Sequence, residues 1–92
     1  ALLKLLVGYI SAPPKFKKLV IEGHTCSIGS LRYNMDLSRR RAMTIRKWLI
    51  DRYKLDPKTV EAVGVGPQRP IGNNGNYQGR QMNRRVEFKI YR

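Results

Sequence analysis

The chain has 92 residues, 41% hydrophobic and 27% charged, a composition that fits one globular domain and excludes both a multidomain enzyme and a disordered tail. A chain this size buries roughly 60% of its unfolded surface, which leaves no room for a deep cofactor cavity and makes a surface or edge site the expectation. Nineteen Lys and Arg against six Asp and Glu give a net charge of +13, a field that favours an anionic partner such as nucleic acid, an anionic membrane or a carboxylate-bearing polymer.

In chain order, Leu2, Leu6, Tyr9 and Ile10 recur at helical spacing, and Pro13-Pro14 stops that helix before the basic loop Lys15 to Lys18. No capping residue precedes Ala1, so this reads as a helix whose start was cut away, in an N-terminally truncated fragment of a longer protein. Ala1 to Ala12 is about half the length needed to span a bilayer, and it carries Lys4 and Gly8 besides. Leu19-Val20-Ile21, ending at Gly23, predicts a strand buried on both faces. A loop to about Leu37 follows. Ser38 is then expected to cap a helix to about Tyr53 with an apolar stripe of Ala42, Ile45, Trp48 and Leu49, closed by Leu55-Asp56-Pro57.

Thr59 to Val65 predicts a second strand. Pro67 to Gly79, rich in Pro, Gly and Asn, predicts an irregular loop with a helical turn near Arg80 to Asn83. Val86, Phe88 and Ile90 alternate with Glu87, Lys89 and Tyr91, the pattern of a half-buried strand. The fold class is therefore α/β: a single two-layer sandwich in which helices pack a mixed β-sheet.

Arg39, Arg40 and Arg41 fall in the first turn of the helix expected after Ser38, where cations are misplaced against the macrodipole unless an anion binds there. That arrangement reads as an anion receptor or as a solvated basic face. Arg41 is the sharpest candidate because it lies on the stripe of Ile45, Trp48 and Leu49. His24 and Cys26, the only histidine and the only cysteine, cannot furnish a closed zinc site, and no third group orients them as a nucleophilic pair. A histidine that pins its loop is the default. Gly64-Val65-Gly66-Pro67-Gln68-Arg69-Pro70 and Gly23 to Gly29 depart from the dinucleotide and phosphate-loop patterns. Arg80, Arg84 and Arg85 bring further cations to the start of the last strand, as surface solvation or as a binding wall.

Several spaced motifs then match one family in order: Ile21-Glu22-Gly23-His24-Thr25, Tyr33-Asn34 with Leu37-Ser38 and Arg41-Ala42, Gly64 with Gly66 and Pro70, and Gly79-Arg80 with Asn83-Arg84-Arg85-Val86-Glu87. Together they resemble the OmpA-like peptidoglycan-binding domain of outer-membrane OmpA proteins, the peptidoglycan-associated lipoprotein and the motor-stator protein MotB. The resemblance covers roughly residues 19–92 and implies the OmpA-C-like fold, with the family's first strand missing upstream. It also implies a periplasmic, envelope-associated bacterial protein, with membrane contact only through the missing N-terminal part.

The family's pocket holds the diaminopimelate of the peptidoglycan stem peptide, with an Asp facing the ligand's ammonium and an Arg facing its carboxylate. Arg41 matches the Arg. Cys26 stands at the place of the Asp, and a neutral thiol cannot replace a carboxylate as the ammonium's partner. Thr25, Asn34, Leu37 and Arg84 complete the implied peptidoglycan-binding set.

The leading reading is thus a non-catalytic anchor to the cell wall, weakened or altered by Cys26, with no cofactor and no specific nucleic acid, and with a homodimer left open. The alternative is a basic module that binds nucleic acid or another anionic polymer through Arg39 to Arg41 and Lys15 to Lys18. An enzyme comes third, since six scattered acids assemble no catalytic set.

Overall fold

In a computed structural model, residues 16–92 are described, and the first expected helix lies outside them. The described elements are β1 (Lys18–His24), α1 (Leu31–Tyr53), a 3-10 turn (Pro57–Thr59), β2 (Val60–Gly66), α2 (Tyr77–Asn83) and β3 (Val86–Tyr91). The sheet runs β2-β1-β3, parallel between β1 and β2 and antiparallel between β1 and β3. It is the mixed α/β sheet that the pattern of elements requires.

Central β1 is buried from Leu19 through His24. Leu19 and Ile21 join Ala42 and Leu49 of α1, Leu55 and Val60 in one core cluster, with Phe88 and Ile90 of β3 packed against it. Gly23 continues that face, and a Cβ there would stand 2.1 Å from the Ser38 carbonyl oxygen. Only glycine lets α1 lie this close to the strand. Val20, Glu22 and His24 point to the other face of the sheet.

α1 begins at Leu31 rather than after Ser38, because Ser30 is the true cap: its Oγ accepts the Tyr33 N–H at 3.1 Å. Arg39 to Arg41 consequently lie more than two turns inside the helix, and the expected helix-terminal anion receptor is not formed by them. The early half was hidden because its inward residues are the polar Asn34 and Ser38. Ser38 donates to the Met35 carbonyl at 2.9 Å and accepts from Gly66 N at 3.0 Å, which is how a mid-helix serine is satisfied when buried.

Trp48 departs from the expected stripe too. It is 46% exposed and meets Tyr53 edge to face at 6.0 Å. α1 ends at Lys54 in the left-handed region, and Asp56 caps the following turn by accepting Lys58 N at 3.0 Å. α2 starts at Tyr77, earlier than the expected turn, with Asn76 capping Gly79 N at 2.7 Å. β3 is half-buried from Val86 through Ile90 instead of alternating, since Glu87 is paired with Arg85 beside it and Lys89 with Glu22 across the sheet. No described helix is long and apolar enough to cross a membrane.

Candidate functional site

β1 and β2 end side by side, and the chain leaving β1 is tied down before it turns. His24 N donates to Arg85 O at 2.8 Å, Thr25 N to Gly66 O at 2.9 Å, and Thr25 Oγ1 to Cys26 O at 3.0 Å. Asn34, buried on α1, donates from Nδ2 to Ile28 O at 2.8 Å, so the loop is fastened to the helix as well. Ser27 N donates to Asn74 Oδ1 at 3.3 Å.

That last contact links the β1 loop to a second loop, residues 66–76, which Asn83 organises. Its Oδ1 accepts Ile71 N and Gly72 N, both at 2.8 Å, while Nδ2 donates to Gly72 O at 3.0 Å and Asn74 Oδ1 at 2.7 Å. A fully buried amide with all of its capacity used is a rigid clamp. The next residue, Arg84, is thereby delivered to the end of β1, where its charge acts on the Cys26 thiol, while Nη1 donates to Gln81 Oε1 at 3.2 Å. Cys26 is only 5% exposed. Burial pushes its thiol up, but hydrogen bonds from the Ile28 backbone and Arg84, together with the Arg84 charge, outweigh this and bring it below the usual thiol range.

The structure therefore brings Thr25, Cys26 and Arg84 together, with Asn34 holding the same loop. Leu37 and Arg41 lie further along α1, half-buried and exposed respectively, and among the described residues no hydrogen bond or ion pair joins Arg41 to Cys26. The cation at the thiol is Arg84. Two grooves of about 450 and 400 Å³ lie elsewhere, one along α1 and one beside β2.

Beneath the site is a charge cluster that sequence reasoning missed. His24 Nε2 stands 3.3 Å from Glu22 Oε1 and 4.0 Å from Glu87 Oε2. These three groups lie close enough to hold a metal ion, but cations already occupy the carboxylates: Lys89 at 3.2 Å and Arg69 at 3.5 Å on Glu22, and Arg85 on Glu87. A divalent ion would add charge where three cations face two acids, so the cluster is an ion-pair network. Burial, then the Arg85 charge, hold His24 below its ordinary value against the pull of Glu22 and Glu87. For Glu22 burial pushes up, yet hydrogen bonds from Lys89 and His24 and the charges of Arg69 and Lys89 prevail and lower it. The spacing of Glu22, His24 and Glu87 on paired strands, with Glu22 opposite Glu87, is the signal that could have revealed it.

All six acids of the chain are engaged away from Cys26. Besides Glu22 and Glu87, Asp36 pairs with Arg40, Asp51 with Lys47 and Glu61 with Lys18, while Asp56 caps its turn. The end of β1 thus holds a thiol under the charge of Arg84, with no carboxylate of its own. It suits an anionic group.

A sequence profile described as the OmpA family matches residues 1–84. The chain belongs to the OmpA family. Among its relatives, outer membrane porin F of Pseudomonas aeruginosa is 44% identical over 70 residues, covering 76% of this chain and 20% of that protein. The crystal structure of the peptidoglycan-associated lipoprotein from Burkholderia pseudomallei matches with a TM-score of 0.82 at 26% identity, over 97% of this chain and 74% of that one. The cell wall anchor of the type VI secretion system (T6SS) from Pseudomonas aeruginosa matches at 0.76 and 31% identity, over 97% and 65%. The chain spans only about a fifth to two-fifths of the first curated relatives it matches. Those relatives are bacterial outer-membrane and cell-wall proteins, and this is a cell-envelope domain of their family.

Proposed function

We propose that the domain is a non-catalytic peptidoglycan-binding module that holds an envelope protein to the cell wall by the carboxylates of the stem peptide, on the periplasmic side. The observation that carries this reading is the fastened loop at the end of β1, which Asn34 and Asn74 hold beside the Asn83 clamp and Arg84, in a chain whose relatives are named for association with peptidoglycan and for cell-wall anchoring. Arg84 and, further along α1, Arg41 supply planar forks suited to bidentate carboxylate pairing. Thr25, Asn34 and Leu37 shape the loop and helix beside them.

The diaminopimelate of the stem peptide is the ligand that the family resemblance implies, and it carries an ammonium as well as a carboxylate. No acid of this chain is free to meet that ammonium, so Cys26 weakens the interaction relative to an Asp at the same place. Incubation with purified sacculi should pull the domain down while releasing no soluble muropeptides. Release of muropeptides would overturn the non-catalytic reading, and failure to co-sediment would overturn the binding reading.

A further inference from the structure

β2 is an edge strand: β1 pairs with one side of it, and no other described strand pairs with the other. A groove of about 400 Å³ runs along it, lined by Lys18, Arg39, Met43, Lys58, Glu61 and Ala62 among others. The strand register shows that this groove wraps the edge. Val60 and Ala62 lie opposite Leu19 and Ile21, whose side chains pack under α1, whereas Lys18 and Glu61, one residue out of phase and joined at 2.7 Å, stand on the other face of the sheet. One lip is therefore Arg39 and Met43 of α1, and the other is the Lys18–Glu61 pair.

At the start of β2 the edge is covered by Arg46. Arg46 Nε donates to Val60 O at 2.8 Å and its Nη2 to Pro57 O at 2.9 Å, and Val60 N is used within the preceding turn. Val60 thus directs its main-chain groups away from β1, and by alternation Ala62 and Gly64 direct theirs the same way. An edge with unpaired N–H and C=O groups is a template for another strand. Lys18, Arg39, Arg46 and Lys58 against Glu61 make the walls cationic.

We propose that this edge takes an extended, acidic peptide segment of a partner protein as an added strand. Main-chain bonds to Ala62 and Gly64 would give affinity, and carboxylates alternating toward Arg39 and Lys58 would give selectivity. A second copy of this chain is disfavoured, because two cationic grooves would face each other. A nucleic acid would meet the charge but offers no strand to pair with the edge.

The test uses a peptide of about eight residues alternating Thr and Glu, a Thr/Lys counterpart, and a Thr/Glu version with prolines at alternate positions. The Thr/Glu peptide should bind and slow amide exchange at Ala62 and Gly64, and the proline version should bind at least about tenfold more weakly. The Arg39→Glu/Lys58→Glu variant should reverse the preference to Thr/Lys. Equal binding of the proline version, unchanged exchange at Ala62 and Gly64, or tighter binding of a DNA oligonucleotide with those amides unprotected would overturn the proposal.

Discussion

Ser38 Oγ accepts the N–H of Gly66 at 3.0 Å, tying the middle of α1 to the last residue of β2, while the Ser38 carbonyl sits where a Cβ on Gly23 would be. Helix and sheet are thus locked at the level from which the β1 loop departs. Ser38→Ala leaves a buried donor without its partner and should lower unfolding free energy by about 1–3 kcal/mol in urea titrations. Gly23→Ala should cost about 3 kcal/mol, because backbone rather than a movable side chain fills the space. A Gly23→Ala protein as stable as the parent would show that α1 does not press on β1 in this way.

Acid should destabilise the fold through the buried cluster. His24 is 2% exposed and its Nδ1 has no hydrogen-bond partner among the described residues, so folding disfavours the imidazolium. Since the folded value lies below the ordinary 6.5, the unfolded chain binds more protons between the two values, and stability falls as pH drops through about 6.5. Glu22, also lowered, contributes stability above its ordinary 4.5 that is lost as pH falls through its folded value. Both act in the same direction. Melting temperature measured from about pH 8 to pH 4 should fall toward acid, and His24→Gln should flatten the part near pH 6. A flat profile in the parent would show that His24 is not held neutral by burial.

These elements also show how far the sequence could be read. β1 was legible because Leu19-Val20-Ile21 is buried on both faces, and the mixed sheet followed from the order of elements. The first half of α1 was not, because Asn34 and Ser38 point inward to bond Ile28 O and Gly66 N, and a search for apolar periodicity passes over polar anchors. The Ser30 cap and the Asp36–Arg40 pair at i,i+4 spacing were the available signals. Trp48 was assigned inward on spacing alone, and it lies exposed. Arg84 reached Cys26 through the Asn83 clamp, a long-range arrangement with no local pattern.

Further along α1, Arg41→Ala should weaken sacculus binding by about tenfold or more if its fork meets a stem-peptide carboxylate. Arg39→Ala and Arg40→Ala should change it little, Arg40 being paired with Asp36 at 2.9 Å. Binding isotherms of the three variants decide this. Equal losses would assign the affinity to diffuse charge rather than to a carboxylate contact.

Cys26→Asp restores a carboxylate at the end of β1 and should strengthen binding of a diaminopimelate peptide by about 2 kcal/mol. The gain should be largely absent for an analogue without the ligand's amino group. Calorimetric titration of both proteins with both ligands gives the double difference, which cancels any general change in charge. Equal gains for the two ligands would mean that position 26 does not meet the ammonium.

Recognition of peptidoglycan by a site and attraction of a +13 chain to any polyanion differ in what releases the bound domain. The most direct measurement is co-sedimentation with purified sacculi, challenged separately with a soluble diaminopimelate-containing stem peptide and with a non-wall polyanion such as heparin, at low and at physiological salt. The stem peptide should release the domain at both salt concentrations, and the polyanion should fail to do so at physiological salt, where nonspecific charge contacts are weakened. Release by the polyanion but not by the stem peptide would contradict recognition by a site.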